Sequence, residues 1–141
     1  MAVHAWDFKK LINVYAGQVI SGFALAGKVT IEPNGGEPIA TKTVGTDGKD
    51  TVVVFHNNTG GKVIFALMAS SSSNDILDAL ATQKTIAPLL IRDTNGRTVL
   101  DTPSAWVAER PAVGFGAELD EREWVLEYAD GNLIVGGLVQ A

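Results

Sequence analysis

Ser70-Ser71-Ser72-Ser73-Asn74-Asp75-Ile76-Leu77-Asp78-Ala79-Leu80 is the one stretch of convincing helical character in a chain otherwise built of strand and turn residues. Ile76 and Leu80 fall one turn apart, Leu77 lies beside them, and Ala79 and Ala81 favour helix. Ser72 or Ser73 is the expected N-cap, because a short hydroxyl accepts a bond from a free backbone N–H of the first turn. Asp75 then falls where the helix dipole favours negative charge. Ser73, Asn74 and Asp75 therefore read as a structural helix start rather than as chemistry. The apolar stripe spans only two turns, too short to stand alone, so the helix must dock on a sheet. The expectation is a mainly β protein with one short flanking α-helix at about residues 73–82.

Composition sets the outer limits. A chain of 141 residues is one domain's worth, read here as a single unit over 1–141. Apolar residues make up 46% and charged residues 19%, less charge than an ordinary globular domain carries. That shortage suggests surface not meant to face water, although a bland, stable domain fits equally. There is no cysteine, which excludes disulfides and thiolate metal sites and fits a reducing cytoplasm. A net charge of −5 argues against phosphate-backbone binding as a main activity. No signal peptide and no bilayer-spanning stretch is read, so no membrane anchoring is expected.

Outward from the helix, the chain alternates strands and turns. Leu11 to Tyr15 and Val19-Ile20 form a first pair, with Gly22 marking a bend. Lys28 to Glu32 alternates, Val29 and Ile31 sharing one face. Two prolines and two glycines over Pro33–Pro38 interrupt pairing, Ile39 to Val44 resumes it, and Thr46-Asp47-Gly48-Lys49 turns. Residues 32–50 thus read as a protruding polar hairpin, either an ordinary surface loop or a contact to a partner. Thr51–His56 and Lys62–Met68 are apolar on both faces, so they are expected to be covered on two sides by the helix, a second sheet or a neighbouring subunit. Asn95-Gly96 joins two apolar runs as a hairpin. Arg97–Asp101 and Ser104–Arg110 read as two strands. In the strand from Glu121 to Tyr128, Trp124, Leu126 and Tyr128 share the core face. Glu121, Glu123 and Glu127 form an acidic ladder on the other. About nine strands and one helix give an antiparallel β-barrel or sandwich.

No constellation of residues carries chemistry. His4 and His56 have no histidine at metal spacing. Asp47-Gly48-Lys49-Asp50 lacks the oxygen pattern of a calcium loop. Gly114-Phe115-Gly116 opens no helix and has no third glycine. Glu121 and Glu123 on one strand face read as a solvated stripe rather than a glycosidase pair. Trp6, Trp106 and Trp124 are scattered and read as core or interface anchors. No catalytic residue, metal site or cofactor is expected.

Ser21-Gly22-Phe23, Gly45-Thr46-Asp47-Gly48, the run Ser71 to Leu77, Ala87-Pro88-Leu89, Asp93-Thr94-Asn95-Gly96, Arg122-Glu123-Trp124 and Gly136-Gly137 follow in an order that resembles the tail tube proteins of contractile-tailed bacteriophages. Those proteins are related in plan to the tube proteins of type VI secretion and pyocin-like particles. The resemblance covers nearly the whole chain, and its motifs are turn and capping elements rather than catalytic signatures. It implies a non-enzymatic virion protein, assembled in the bacterial host cytoplasm, whose hexameric rings stack helically into the hollow tube that conducts DNA during contraction. Its implied partners are other copies of itself, the tail sheath outside, the tape measure protein and then DNA in the lumen, and baseplate and tail terminator proteins at the ends. On this reading Glu32, Asn34, Gly35, Gly36, Glu37, Lys42, Asp47 and Lys49 form a ring-stacking hairpin, and Glu121, Glu123 and Glu127 form a possible acidic lumen face. The alternative is a small carbohydrate-binding β-sandwich module of a phage tail, which would need an exposed aromatic platform.

Overall fold

The computed structural model describes residues 6–23, 28–116 and 121–137; His4 and Leu138 lie outside them. The described residues form ten strands and one α-helix. The strands are β1 (Leu11–Tyr15), β2 (Gln18–Val19), β3 (Val29–Glu32), β4 (Ala40–Val44), β5 (Thr51–Phe55), β6 (Gly61–Leu67), β7 (Ala87–Asp93), β8 (Val99–Glu109), β9 (Arg122–Tyr128) and β10 (Asn132–Ile134). The helix α1 spans Ser73–Thr82 between β6 and β7, the interval its sequence pattern predicts. The main sheet runs β2-β1-β7-β8-β9-β6-β3, with β10 attached to β8 beside that path, and β4-β5 form a separate two-stranded sheet. Every pairing is antiparallel.

The sandwich arises from β8. Its first residues, Val99–Asp101, lie between β7 and β10, while Ala105–Glu109 pair with β9. Ala105 faces Ala87 on one side and Tyr128 on the other. Sequence reading splits this strand in two because Pro103 interrupts it. The structure keeps it continuous by shifting the β7–β8 register between Ala87 and Leu89, so that Pro88 faces both Pro103 and Ser104. Such a bulge absorbs the missing donors of both prolines and bends the strand.

Alternation along each strand fills the space between the layers. Val63, Phe65 and Leu67 of β6, Leu89 and Ile91 of β7, Leu100 of β8, and Trp124, Leu126 and Tyr128 of β9 are buried together with Tyr15 and Leu77. The Tyr15 hydroxyl donates to the carbonyls of Thr85 and Ala105 (3.1 and 3.2 Å), which satisfies its one polar atom inside the core. An aromatic run, Phe65 to Phe23 to Phe8 to Trp6, leads from that core to the surface with ring centroids 5.2–6.0 Å apart.

The serine run at the start of α1 does different work from the capping its sequence suggests. Ser72 holds the N-cap position without a side-chain capping bond. The Ser71 hydroxyl accepts from the Ser73 N–H (3.2 Å) and donates to the Ser21 carbonyl (2.7 Å). The buried Ser73 hydroxyl accepts from the Ser21 N–H (3.0 Å) instead of capping its own helix. Asn74 donates to the carbonyls of Met68 (2.8 Å) and Ser71 (3.1 Å) and accepts from the Trp124 indole (2.9 Å). Asp75 is exposed in the first turn. Serines thus fasten the Ser21–Phe23 segment to the helix. Gly22 permits the contact, since its φ is +75° and a Cβ there would overlap the Ser71 side chain. Gly22→Ala is expected to cost about 2 kcal/mol or more, through left-handed backbone strain and displacement of Ser71. The urea midpoint should fall with an unchanged slope; a midpoint equal to wild type would show that the segment is not held this way.

Within its own chain Thr51–Phe55 is covered on neither face: β5 pairs only with β4 and all five of its residues are exposed, so neither the helix nor a second sheet supplies the expected cover.

Candidate functional site

Two surfaces are distinctive, a projecting arm and the outer face of β9. The arm consists of β4, β5 and the turn between them. Register pairs Ala40 with Phe55, Lys42 with Val53 and Val44 with Thr51 on one face, and Thr41 with Val54 and Thr43 with Val52 on the other. Both faces are open: Phe55 is 67% exposed, Val53 51% and Val52 62%. At the root, the His56 N–H donates to the Ile39 carbonyl (2.8 Å) and closes the ladder. Asn34, Gly35 and Gly36 all have left-handed φ, which turns the chain out of β3, and the Gly35 N–H donates to the Gly60 carbonyl (2.8 Å). At the tip, Gly45 donates to the Asp50 carbonyl (2.7 Å).

The tip carries the arm's own titratable lock. Asp47 Oδ1 accepts from the Lys49 and Asp50 N–H groups (2.9 and 3.0 Å), and these bonds hold its carboxyl below the usual carboxylate range. A lowered folded pKa means the tip's order is fully present above the usual carboxylate pKa and is lost as pH falls through the lowered value. Amide exchange at Lys49 and Asp50 should therefore speed up in acid beyond the intrinsic pH trend, and Asp47→Ala should show the faster exchange already at neutral pH. Equal protection in both proteins would show that the carboxylate does not order the tip.

The residues expected to act in the hairpin do not form one cluster. Glu32 belongs to β3 of the main sheet, Asn34, Gly35, Gly36 and Glu37 lie at the arm root, Lys42 is mid-arm, and Asp47 and Lys49 are at its tip. On β9, Glu123 and Glu127 are exposed on the outer face and Glu121 precedes the strand. The ladder is interrupted across the sheet, because Lys62 lies opposite Glu127 and Ala66 opposite Glu123. Lys62 Nζ reaches Glu32 Oε2 at 3.3 Å, an exposed pair of little energetic weight. Among the described residues no group of three or more His, Cys, Asp or Glu is placed to hold a metal ion.

Trp106, read from sequence as a core or interface anchor, lines the surface, and Val53 and Phe55 lie exposed on the arm. Trp106 is half-buried and lies directly across from Glu127. It is a common wall of two neighbouring clefts. One, of about 480 Å³, is lined by Glu32, Lys62, Glu127, Tyr128 and the glycine-rich arm root. The other, of about 370 Å³, is apolar and lies between α1 and β8, lined by Leu80, Ala81, Ile86, Trp106 and Val107 with Lys84 and Thr85. Trp124 is buried and so cannot join an exposed stacking platform with Trp6 or Trp106.

No family model matches the chain. Over 104 residues it is 30% identical to structural protein ORF10 of Pseudomonas phage KPP10; the match covers 69% of this chain, and the chain spans 60% of the length of that relative. Among solved structures, a chain of the virion of a native gene transfer agent particle superposes with a TM-score of 0.65 at 10% identity, covering 93% of this chain and 100% of that one. A chain of the anti-feeding prophage cap, a tube terminating cap, gives 0.60 at 7% identity over 95% and 93% of the two chains. A chain from the sheath/tube terminator of an extracellular contractile injection system gives 0.56 at 10% identity over 94% and 99%. The chain is related in sequence to a phage structural protein, and its fold is the one shared by components of a gene-transfer-agent virion and of contractile-injection tube caps and terminators.

Proposed function

We propose that this chain is a structural subunit of a phage tail tube, without catalytic activity, whose copies close into hexameric rings and stack into a hollow conduit for DNA. The observation that carries the reading is the arm. A two-stranded hairpin is not stable alone in water, yet here both faces and all ten strand residues are exposed. A second chain is the natural cover, and a head-to-tail contact between unlike surfaces of identical copies gives rings or open stacks. The fold likeness to a gene-transfer-agent virion chain and to tube cap and terminator chains, together with the phage relative, supports the same setting. On this reading the subunit resides in the virion, with sheath outside and tape measure protein, then DNA, inside. An acidic lumen wall without basic residues offers DNA no phosphate-binding sites.

A second reading is favoured by two of the matched structures, which are a cap and a terminator: the chain forms one ring that ends a tube. Negative-stain microscopy of the concentrated protein separates the two. Tubes of many rings support the first, single rings the second, and a monomer at all concentrations overturns both.

A further inference from the structure

Two exposed surfaces of this chain are complementary at the level of single cross-strand pairs. On the arm, Lys42 lies opposite Val53, flanked on the same face by Ala40 with Phe55 and by Val44 with Thr51. On the sandwich, Glu127 lies opposite Trp106, flanked by the apolar cleft of Leu80, Ala81, Ile86 and Val107. Neighbouring strands in both are about 4.8 Å apart, so a cation beside an apolar side chain matches an anion beside an indole in width as well as character. Lys62, the cation across from Glu127 in β6, reaches instead to Glu32 on its far side. The arm's own Phe55 is 67% exposed and Ile86 of the cleft 68%, so the arm of a chain does not occupy that chain's cleft.

We propose that the Lys42 face of the arm of one copy seats on the Trp106–Glu127 strip of a second copy. Lys42 meets the Glu127 carboxylate in a charge-assisted hydrogen bond. Val53 packs on Trp106, and Phe55 continues into the α1–β8 cleft against Ile86 and Leu80. Arm and strip are unlike surfaces, so the contact is heterologous and leaves each copy with a free arm or a free strip. The inference rests on the tube-subunit reading and names the surface that receives the arm.

The test uses the full chain and its association measured by analytical ultracentrifugation. Lys42→Glu and Glu127→Lys should each raise the concentration needed for association by about tenfold or more, and the double exchange should return it to within about threefold of wild type. Both positions are exposed, and circular dichroism checks that each variant is folded. A cysteine-free chain allows a second readout. Phe55→Cys protein mixed with Ile86→Cys protein under mild oxidation should give a disulfide-linked pair in excess of either alone. A wild type that associates but is indifferent to both charge reversals, a double exchange as weak as its singles, or no mixed cross-link overturns this docking while leaving the tube reading in place. A wild type that never associates overturns both.

Discussion

Replacing residues 40–55 by a short Gly/Ser linker yields a folded, soluble subunit that no longer assembles. The argument has two halves. The ends of the arm are already joined, since the His56 N–H bonds the Ile39 carbonyl at 2.8 Å, so about four flexible residues bridge the gap without strain. Every strand residue of the arm is exposed, so no core contact is removed, and stability should change by no more than about 1 kcal/mol, within the range of loop-closure effects. Association, by contrast, loses the arm's exposed apolar residues, Val44, Val52, Val53, Val54 and Phe55. Burying this much aliphatic and aromatic side chain is worth several kcal/mol, so without it the concentration for assembly should rise by about a hundredfold or more. Sedimentation and thermal melting on the same sample check both halves. Tubes or rings of normal yield would show that the arm is not the assembly element, and a lost melting transition would show that it belongs to the core.

Asn74→Ala is expected to be the most damaging single polar substitution in the chain. Its amide does three jobs: it accepts from the buried Trp124 indole at 2.9 Å and donates to the carbonyls of Met68 and Ser71. These bonds tie the start of α1 to β9 and to the end of β6. Alanine leaves the indole N–H unpaired in the core and opens the turn before the helix, at a cost of about 3 kcal/mol. For a chain of this size that is a fall in melting temperature of roughly 10 °C. Trp124→Phe removes the same indole bond, so the two substitutions together should cost less than the sum of their separate effects. Full additivity would show that the pair is not coupled.

The fold was legible where local chemistry and packing agree. Ile76, Leu77 and Leu80 specify a helix, and alternation through Trp124, Leu126 and Tyr128 specifies which face of β9 is buried. A strand boundary was misplaced at Pro103, because a bulge lets a strand pass through a proline and no local pattern reveals the partner that accommodates it. The serine run misled in a different way. A hydroxyl beside a helix start reads as a cap, but Ser71 and Ser73 bond Ser21, fifty residues distant or more, and that contact depends on the fold. The arm was placed too early in the chain. Thr51–Phe55 has the composition of a core strand, and sequence cannot distinguish burial within a chain from burial between chains. Sequence left Trp106 open between core and interface anchor, because the two clefts it lines are formed by elements distant in the chain.

The bent strand β8 has a mechanical consequence. It exchanges hydrogen bonds with β7, β9 and β10, and Ala105 is shared by both halves of the sandwich. Neither half can peel away without breaking bonds on the same strand, so the two halves open together rather than as separate cooperative units. In the stack proposed above, a subunit built this way carries load as a single stiff body, with its compliance in the arm.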